Sequence, residues 1–179
     1  MVNKRPSRVK TYKPVQTITS SEGSPHVDPF LKCGAVFNPV LPLKLRPKDR
    51  PIPLTSVTVK VKGTLPTNVL INYSCFITSV LKEGGSFNNL AFRLVRECSS
   101  MKVTLREYPF QRQLLSPTTT KEPLVYNFCD ENPPPRRTCT YTLFLVKVNV
   151  SDSSSYDITQ KSMTALVFPA PVKREDRRI

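Results

Sequence analysis

Apolar residues in this chain recur at every second position, run after run, and that period limits the folds open to it. In an extended strand successive side chains point to opposite faces. VLINYSCFITSVL (Val69–Leu81) therefore gathers Val69, Ile71, Tyr73, Cys75 and Ile77 on one face. MKVTLREY (Met101–Tyr108) sets Met101, Val103 and Leu105 against Lys102, Thr104 and Arg106. PLVYNFC (Pro123–Cys129) follows, and CTYTLFLVKVNV (Cys139–Val150) is apolar on both faces, as a central strand is. MTALVF (Met163–Phe168) closes the series. Turn chemistry separates the runs at Gly84–Gly85, in the Ser-Pro-Thr stretch after Leu115, at Asn132 to Pro135 and at Ser151 to Ser155.

Two stretches read as helix. Phe87, Leu90, Ala91, Leu94, Val95 and Cys98 form a helical stripe behind Ser86 as cap, although Leu90, Phe92 and Leu94 also alternate. Pro109 with FQRQLL after it fits one helical turn, with Phe110 and Leu114 four apart. The expected fold is mainly β (α+β): a single compact β-sandwich or open barrel with one or two short helices and a disordered basic N-terminal arm. At 179 residues the chain suits one domain with tails.

Four segments are expected along it. Residues 1–28 are polar and rich in Ser, Thr and Pro, with too little apolar surface to offset ordering, and form the arm. In residues 29–53, FNPVLPLKLRPKDRPIP carries a proline every few positions, which forbids helix interior and central strand and leaves an extended connector. Residues 54–170 form the β-rich body, and 171–179 a basic C-terminal tail.

Charge supplies the functional lead. Lys and Arg outnumber Asp and Glu by 27 to 13, a balance of +14, more than solubility requires, and this implies an anionic partner. Residues 1–62 hold 12 basic and 3 acidic residues, against 15 and 10 in the longer remainder. SVTVKVK (Ser56–Lys62) puts Val57, Val59 and Val61 on one face and Thr58, Lys60 and Lys62 on the other. Such lysines also occur as plain solvated surface or as guards on an edge strand. The candidate phosphate or lipid-headgroup contacts are Lys4, Arg5, Arg8, Lys10 and Lys13 in the arm, Lys44, Arg46, Lys48 and Arg50 in the connector, and Lys60, Lys62, Lys102 and Arg106 in the body. Phosphate contacts of this kind carry no base sequence information, and the same cations serve RNA or acidic lipid.

Catalysis is a poor account of the chain. Its one histidine, His26, lies in the arm, and no phosphate-binding glycine loop or nucleophile elbow occurs among its 5 glycines. Asp130–Glu131 stands before Pro133–Pro135 and reads as turn solvation. No catalytic residue, metal site or cofactor is expected. Cys33, Cys75, Cys98, Cys129 and Cys139 are widely spaced without a C-x-x-C pair, and read as reduced thiols of a reducing compartment. No signal peptide and no membrane-length apolar run is recognised, and the sequons at Asn72 and Asn149 read as chance matches within strands. The six tyrosines do not cluster with cations as a base-stacking platform would. NPPPRR (Asn132–Arg137) and FPAPVKR (Phe168–Arg174) read as turn and tail prolines.

With its basic proline-bearing arm, compact β body and closing MTALVFPAPVKREDRRI, the chain resembles rhabdovirus matrix proteins, closest to the short ones of plant-infecting cytorhabdoviruses. At residue level the similarity covers Ala165–Arg174. The resemblance implies a viral matrix protein, within the virion beneath the envelope and in the host cytoplasm at the inner face of host membranes. It would bind acidic phospholipid membrane, the viral nucleocapsid (nucleoprotein–RNA) and the envelope glycoprotein, self-associate into homo-oligomers, condense the ribonucleoprotein and drive budding. A small jelly-roll capsid protein, or an RNA-binding silencing suppressor or movement protein, fits the same residues.

Overall fold

Alternation carries almost the whole body. The computed structural model describes residues 28–60, 66–113, 115–131 and 133–170. They form ten strands: β1 (Phe30–Cys33), β2 (Ala35–Val36), β3 (Lys44–Leu45), β4 (Ile52–Lys60), β5 (Thr67–Leu81), β6 (Phe87–Cys98), β7 (Met101–Gln113), β8 (Thr118–Glu131), β9 (Thr138–Val150) and β10 (Ser154–Pro169). All pairings are antiparallel. One sheet, here sheet A, runs β1-β10-β5-β8; sheet B runs β2-β4-β9-β6-β7, with β3 also on β9. The β1-β10-β5-β8 layer against the β4-β9-β6-β7 layer has the strand order of a jelly roll, a sandwich of two Greek keys. The expected β-sandwich is thus present.

The two expected helices are not. Residues 87–98 and 109–113 are strand, and no helix occurs among the described residues. Leu90, Phe92 and Leu94 face the core while Asn89, Ala91 and Arg93 point away, so period two wins over the helical stripe. The stripe looked continuous because apolar residues stand on both faces of β6: Leu90, Phe92, Leu94 and Cys98 point inward, while Ala91 and Val95 point outward, Val95 beside Thr142. The connector also contributes more than expected: residues 29–53 supply β1, β2 and β3, and the start of β4.

The core is filled from both inner faces: Val57 and Val59 of β4, Ile71 and Ile77 of β5, Phe92 of β6, Leu143 and Leu145 of β9, and Met163 and Val167 of β10. One flank is closed by backbone. Gly34 carries the chain from β1 in sheet A to β2 in sheet B, and its N–H donates to the Met163 carbonyl at 2.8 Å. A Cβ there would stand 2.5 Å from the Ser56 carbonyl oxygen, so only glycine lets the two sheets' backbones approach. The opposite flank, between β7 and β8, is closed by side chains. Tyr108 stacks on Tyr126 at 3.9 Å between centroids, and Arg112 forks onto Glu122, an ion pair that holds the Glu122 carboxyl below its usual range.

Inside, Arg96 Nη1 donates to both carboxylate oxygens of Asp130 at 2.7 Å, and Tyr141 Oη donates to Asp130 Oδ2 at 2.7 Å. This network ties β6 and β9 of sheet B to β8 of sheet A. Burial first, then the hydrogen bond to Asp130, pushes the Tyr141 phenol up. Beside it, Cys98 and Cys139 face each other in register and form a disulfide across β6 and β9. This corrects the expectation of five reduced thiols: the two cysteines lie 41 residues apart in sequence, and strand pairing alone brings them together.

Candidate anion-binding end

Register places each candidate cation. Lys60 ends β4 opposite Thr138, and Lys102 lies near the start of β7 opposite Glu97, with its Nζ 5.4 Å from the centroid of the Phe144 ring. Both belong to the outer face of sheet B, at the same end. Three strand spacings separate β4 from β7, about 14 Å. Arg136 and Arg137 occupy the turn that leads into Thr138, so they stand at this end too. Arg136 adopts φ 56°, in the left-handed region. None of these four makes an ion pair among the described residues; Glu97 and Glu131 are the nearby acids by register.

The other candidates are elsewhere. Lys44 lies opposite Asn149, eleven residues along β9 from Thr138 and therefore about 35 Å away. It pairs with Asp152 at 3.5 Å. Arg46 is bound to Asp49, whose carboxyl is held below its usual range first by the Arg46 backbone N–H and then by the guanidinium. Lys48 lies within that turn and Arg50 follows it. The single basic face expected from Lys44 through Lys62 is thus split in two. Lys102 and Arg106 do not share a face either. Leu105 is an extra residue in the pairing of β7 with β6, which leaves Lys102 beside outward Glu97 and Arg106 beside inward Leu94. Lys4, Arg5, Arg8, Lys10, Lys13 and Lys62 lie outside the described residues.

Sequence reasoning passed over Arg136 and Arg137. The signal was present as a basic pair just before a strand, but only the β4–β9 register shows that this turn meets Lys60. The same end is where both termini meet the body. β1 starts with Phe30 opposite Val167, and β10 finishes with Pro169 opposite Thr67. The segment before residue 28 holds Lys4, Arg5, Arg8, Lys10 and Lys13, and the segment after 170 holds Lys173, Arg174, Arg177 and Arg178.

A cleft of about 400 Å³ lies between residues 36–41 and a bulge of β10, lined by Val36, Pro39, Leu41, Asp157, Gln160 and Lys161. Its charged groups are turned to backbone: Asp157 accepts from the Ile158 N–H at 2.8 Å, and Lys161 donates to the Ile158 carbonyl at 3.0 Å. Both charges of the lining are thereby occupied. Among the described residues no group of three or more His, Cys, Asp or Glu is placed to hold a metal ion, and no helix is long and apolar enough to cross a membrane.

No curated protein matches the sequence. Among solved structures, the chain is similar to one titled as the structure of infectious bursal disease virus Gt strain, at 10% identity and TM-score 0.38, over 80% of this chain and 32% of that one. It is also similar to one of the Gx strain, at 9% identity and TM-score 0.41, over 83% and 38%. The chain spans about a third of the length of those chains. Residues 27–168 match the model of a family described as a domain of unknown function, DUF4489, and the chain belongs to that family.

Proposed function

We propose that the protein is a shell-forming structural subunit of a virion, closer to a jelly-roll capsid protein than to a matrix layer, and that its positive end holds the phosphates of an enclosed nucleic acid. The observation that carries this reading is the polarity of the molecule. Lys60, Lys102, Arg136 and Arg137 stand without ion pairs among the described residues, at the end where both cation-bearing segments join the body. A jelly roll with its cations at one end binds a polyanion on one side and leaves its sheet faces for other contacts. The sequence resemblance to viral matrix proteins supports a virion role but directs the same cations to acidic lipid.

Binding of single-stranded RNA and of acidic liposomes, each over a salt series, separates these readings. Reversing Lys60, Lys102, Arg136 and Arg137 to Glu removes four phosphate contacts. The slope of log affinity against log salt for RNA should then fall in magnitude by about 3, from roughly 0.7 per contact. An unchanged RNA slope overturns the assignment of this end. Wild-type binding to liposomes without binding to RNA returns the protein to the matrix reading.

A further inference from the structure

We infer that the outer face of sheet A is the contact surface for a second copy of this chain, sheet packed on sheet. The inference rests on the assembly reading above and names the surface that performs it.

Register fixes what this face presents. Leu31, Leu166, Leu70 and Cys129 form one row across all four strands, and Cys33, Thr164, Asn72 and Asn127 form the next. Phe168, Phe76, Val80, Pro123 and Val125 point the same way from other rows. Leu31 and Val125 are 60% and 61% exposed. Charge is nearly absent: the strand residues of this face include only Lys121, Glu131 and Asp157 as ionised groups. Lys121 and Asp157 stand in one row with Thr78 between them, and Lys121 Nζ lies 5.0 Å from the centroid of the Phe76 ring. The outer face of sheet B, by contrast, carries Lys44, Lys60, Arg93, Glu97, Lys102, Glu107 and Lys147.

That contrast selects the occupant. A nucleic acid or an acidic membrane has no cation surplus to meet on sheet A. A second copy brings a balance of +14 of its own and is repelled wherever the body is basic. On this nearly neutral face two copies approach without like-charge repulsion and with a leucine row to cover. The size fits as well. Three strands about 4.8 Å apart, paired over 14 residues, with the four residues of β1 beside them, offer on the order of 700 Å², close to the area each partner buries in a stable interface. Face-to-face sheets pack about 10 Å apart, and a two-fold axis through the face lets each row meet its own copy. The two exposed free cysteines, Cys33 and Cys129, both lie on this face and report on its covering.

The test is sedimentation equilibrium of the full chain together with alkylation rates of Cys33 and Cys129 across concentration. Wild type should form dimers or larger species in which both thiols react more slowly than in the diluted protein. Burial, with Glu131 and Asp130 nearby, pushes the Cys129 thiol up, so each cysteine is compared only with itself. Leu70→Lys with Leu166→Lys should raise the dissociation constant at least a hundredfold, and Val125→Lys alone about tenfold. Because Val125 is largely exposed, its variant reads the contact even where the leucine variant fails to fold. Thr142→Lys, on the outer face of sheet B, should leave association unchanged. Oligomers that survive Val125→Lys, or that Thr142→Lys dissociates, overturn this surface and leave the assembly reading standing. A wild type that stays monomeric at every concentration and salt, with both thiols equally reactive throughout, overturns the assembly reading itself.

Discussion

Asp130 shows how little of a residue's role its neighbours in sequence reveal. Read along the chain, Asp130–Glu131 before a proline run is turn solvation; in the fold Glu131 points outward and Asp130 is 5% exposed between Arg96 and Tyr141. β8 runs on to Glu131, so alternation along it puts Asp130 on the inner face, and its partners lie 34 and 11 residues away on strands of the other sheet. Removing one member of a buried ion pair leaves the other charge uncompensated. Asp130→Ala should therefore destabilise the protein by about 3–5 kcal/mol, through stranding Arg96. Tyr141→Phe, which deletes one hydrogen bond and keeps the ring in the core, should cost only about 1–2 kcal/mol. Urea unfolding followed by intrinsic fluorescence or circular dichroism measures both. Equal and small losses would mean that Arg96 finds other partners or water when Asp130 is gone.

At the scale of the element, the strands were legible wherever one face was buried and the other solvated, as in β5, β8 and β10. They were misread where apolar residues stand on both faces, as in β6, or where an extra residue shifts the parity, as in β7. β6 reads as helix because positions 87, 90, 91, 94, 95 and 98 satisfy a 3.6 period; in the strand the even positions among them face the core, and apolar Phe87, Ala91 and Val95 stand on the outer face, which fills in the same spacing. β7 was assigned a basic face because alternation was carried through Leu105, where the bulge breaks it. Such bulges depend on the partner strand and leave no reliable mark on the sequence. The two readings of β6 differ most at adjacent residues. In the helical stripe Ala91 is buried and Phe92 is off the face; in the strand Phe92 is 0% exposed and Ala91 points outward. Phe92→Ala should then cost about 3–5 kcal/mol, and Ala91→Ser less than about 0.5. Thermal melting of the two variants decides it, and the reverse ranking would restore the helix.

For the whole molecule, composition identified a polycation with one β-rich body, whereas the jelly roll and the shared basic end rest on long-range pairing that one sequence does not display. The disulfide belongs to the same class of fact. Five cysteines without a metal spacing gave no pairing, and the β6–β9 register sets Cys98 against Cys139. Closing a loop of 41 residues restricts the unfolded chain, which on the loop-entropy model is worth about 4 kcal/mol at 25 °C. For a chain of this size each kcal/mol moves the midpoint by about 2–4 °C. Reduction, or Cys98→Ser with Cys139→Ser, should accordingly lower the melting midpoint by about 8–16 °C. The strand signature at 25 °C should persist, because the buried strands and the Asp130 network remain. Thiol titration of unfolded, unreduced protein should count three free cysteines before reduction and five after it. Five before reduction, with a midpoint indifferent to reductant, would show that Cys98 and Cys139 are neighbours in the sheet and not bonded, and would restore the reduced-thiol reading of the sequence.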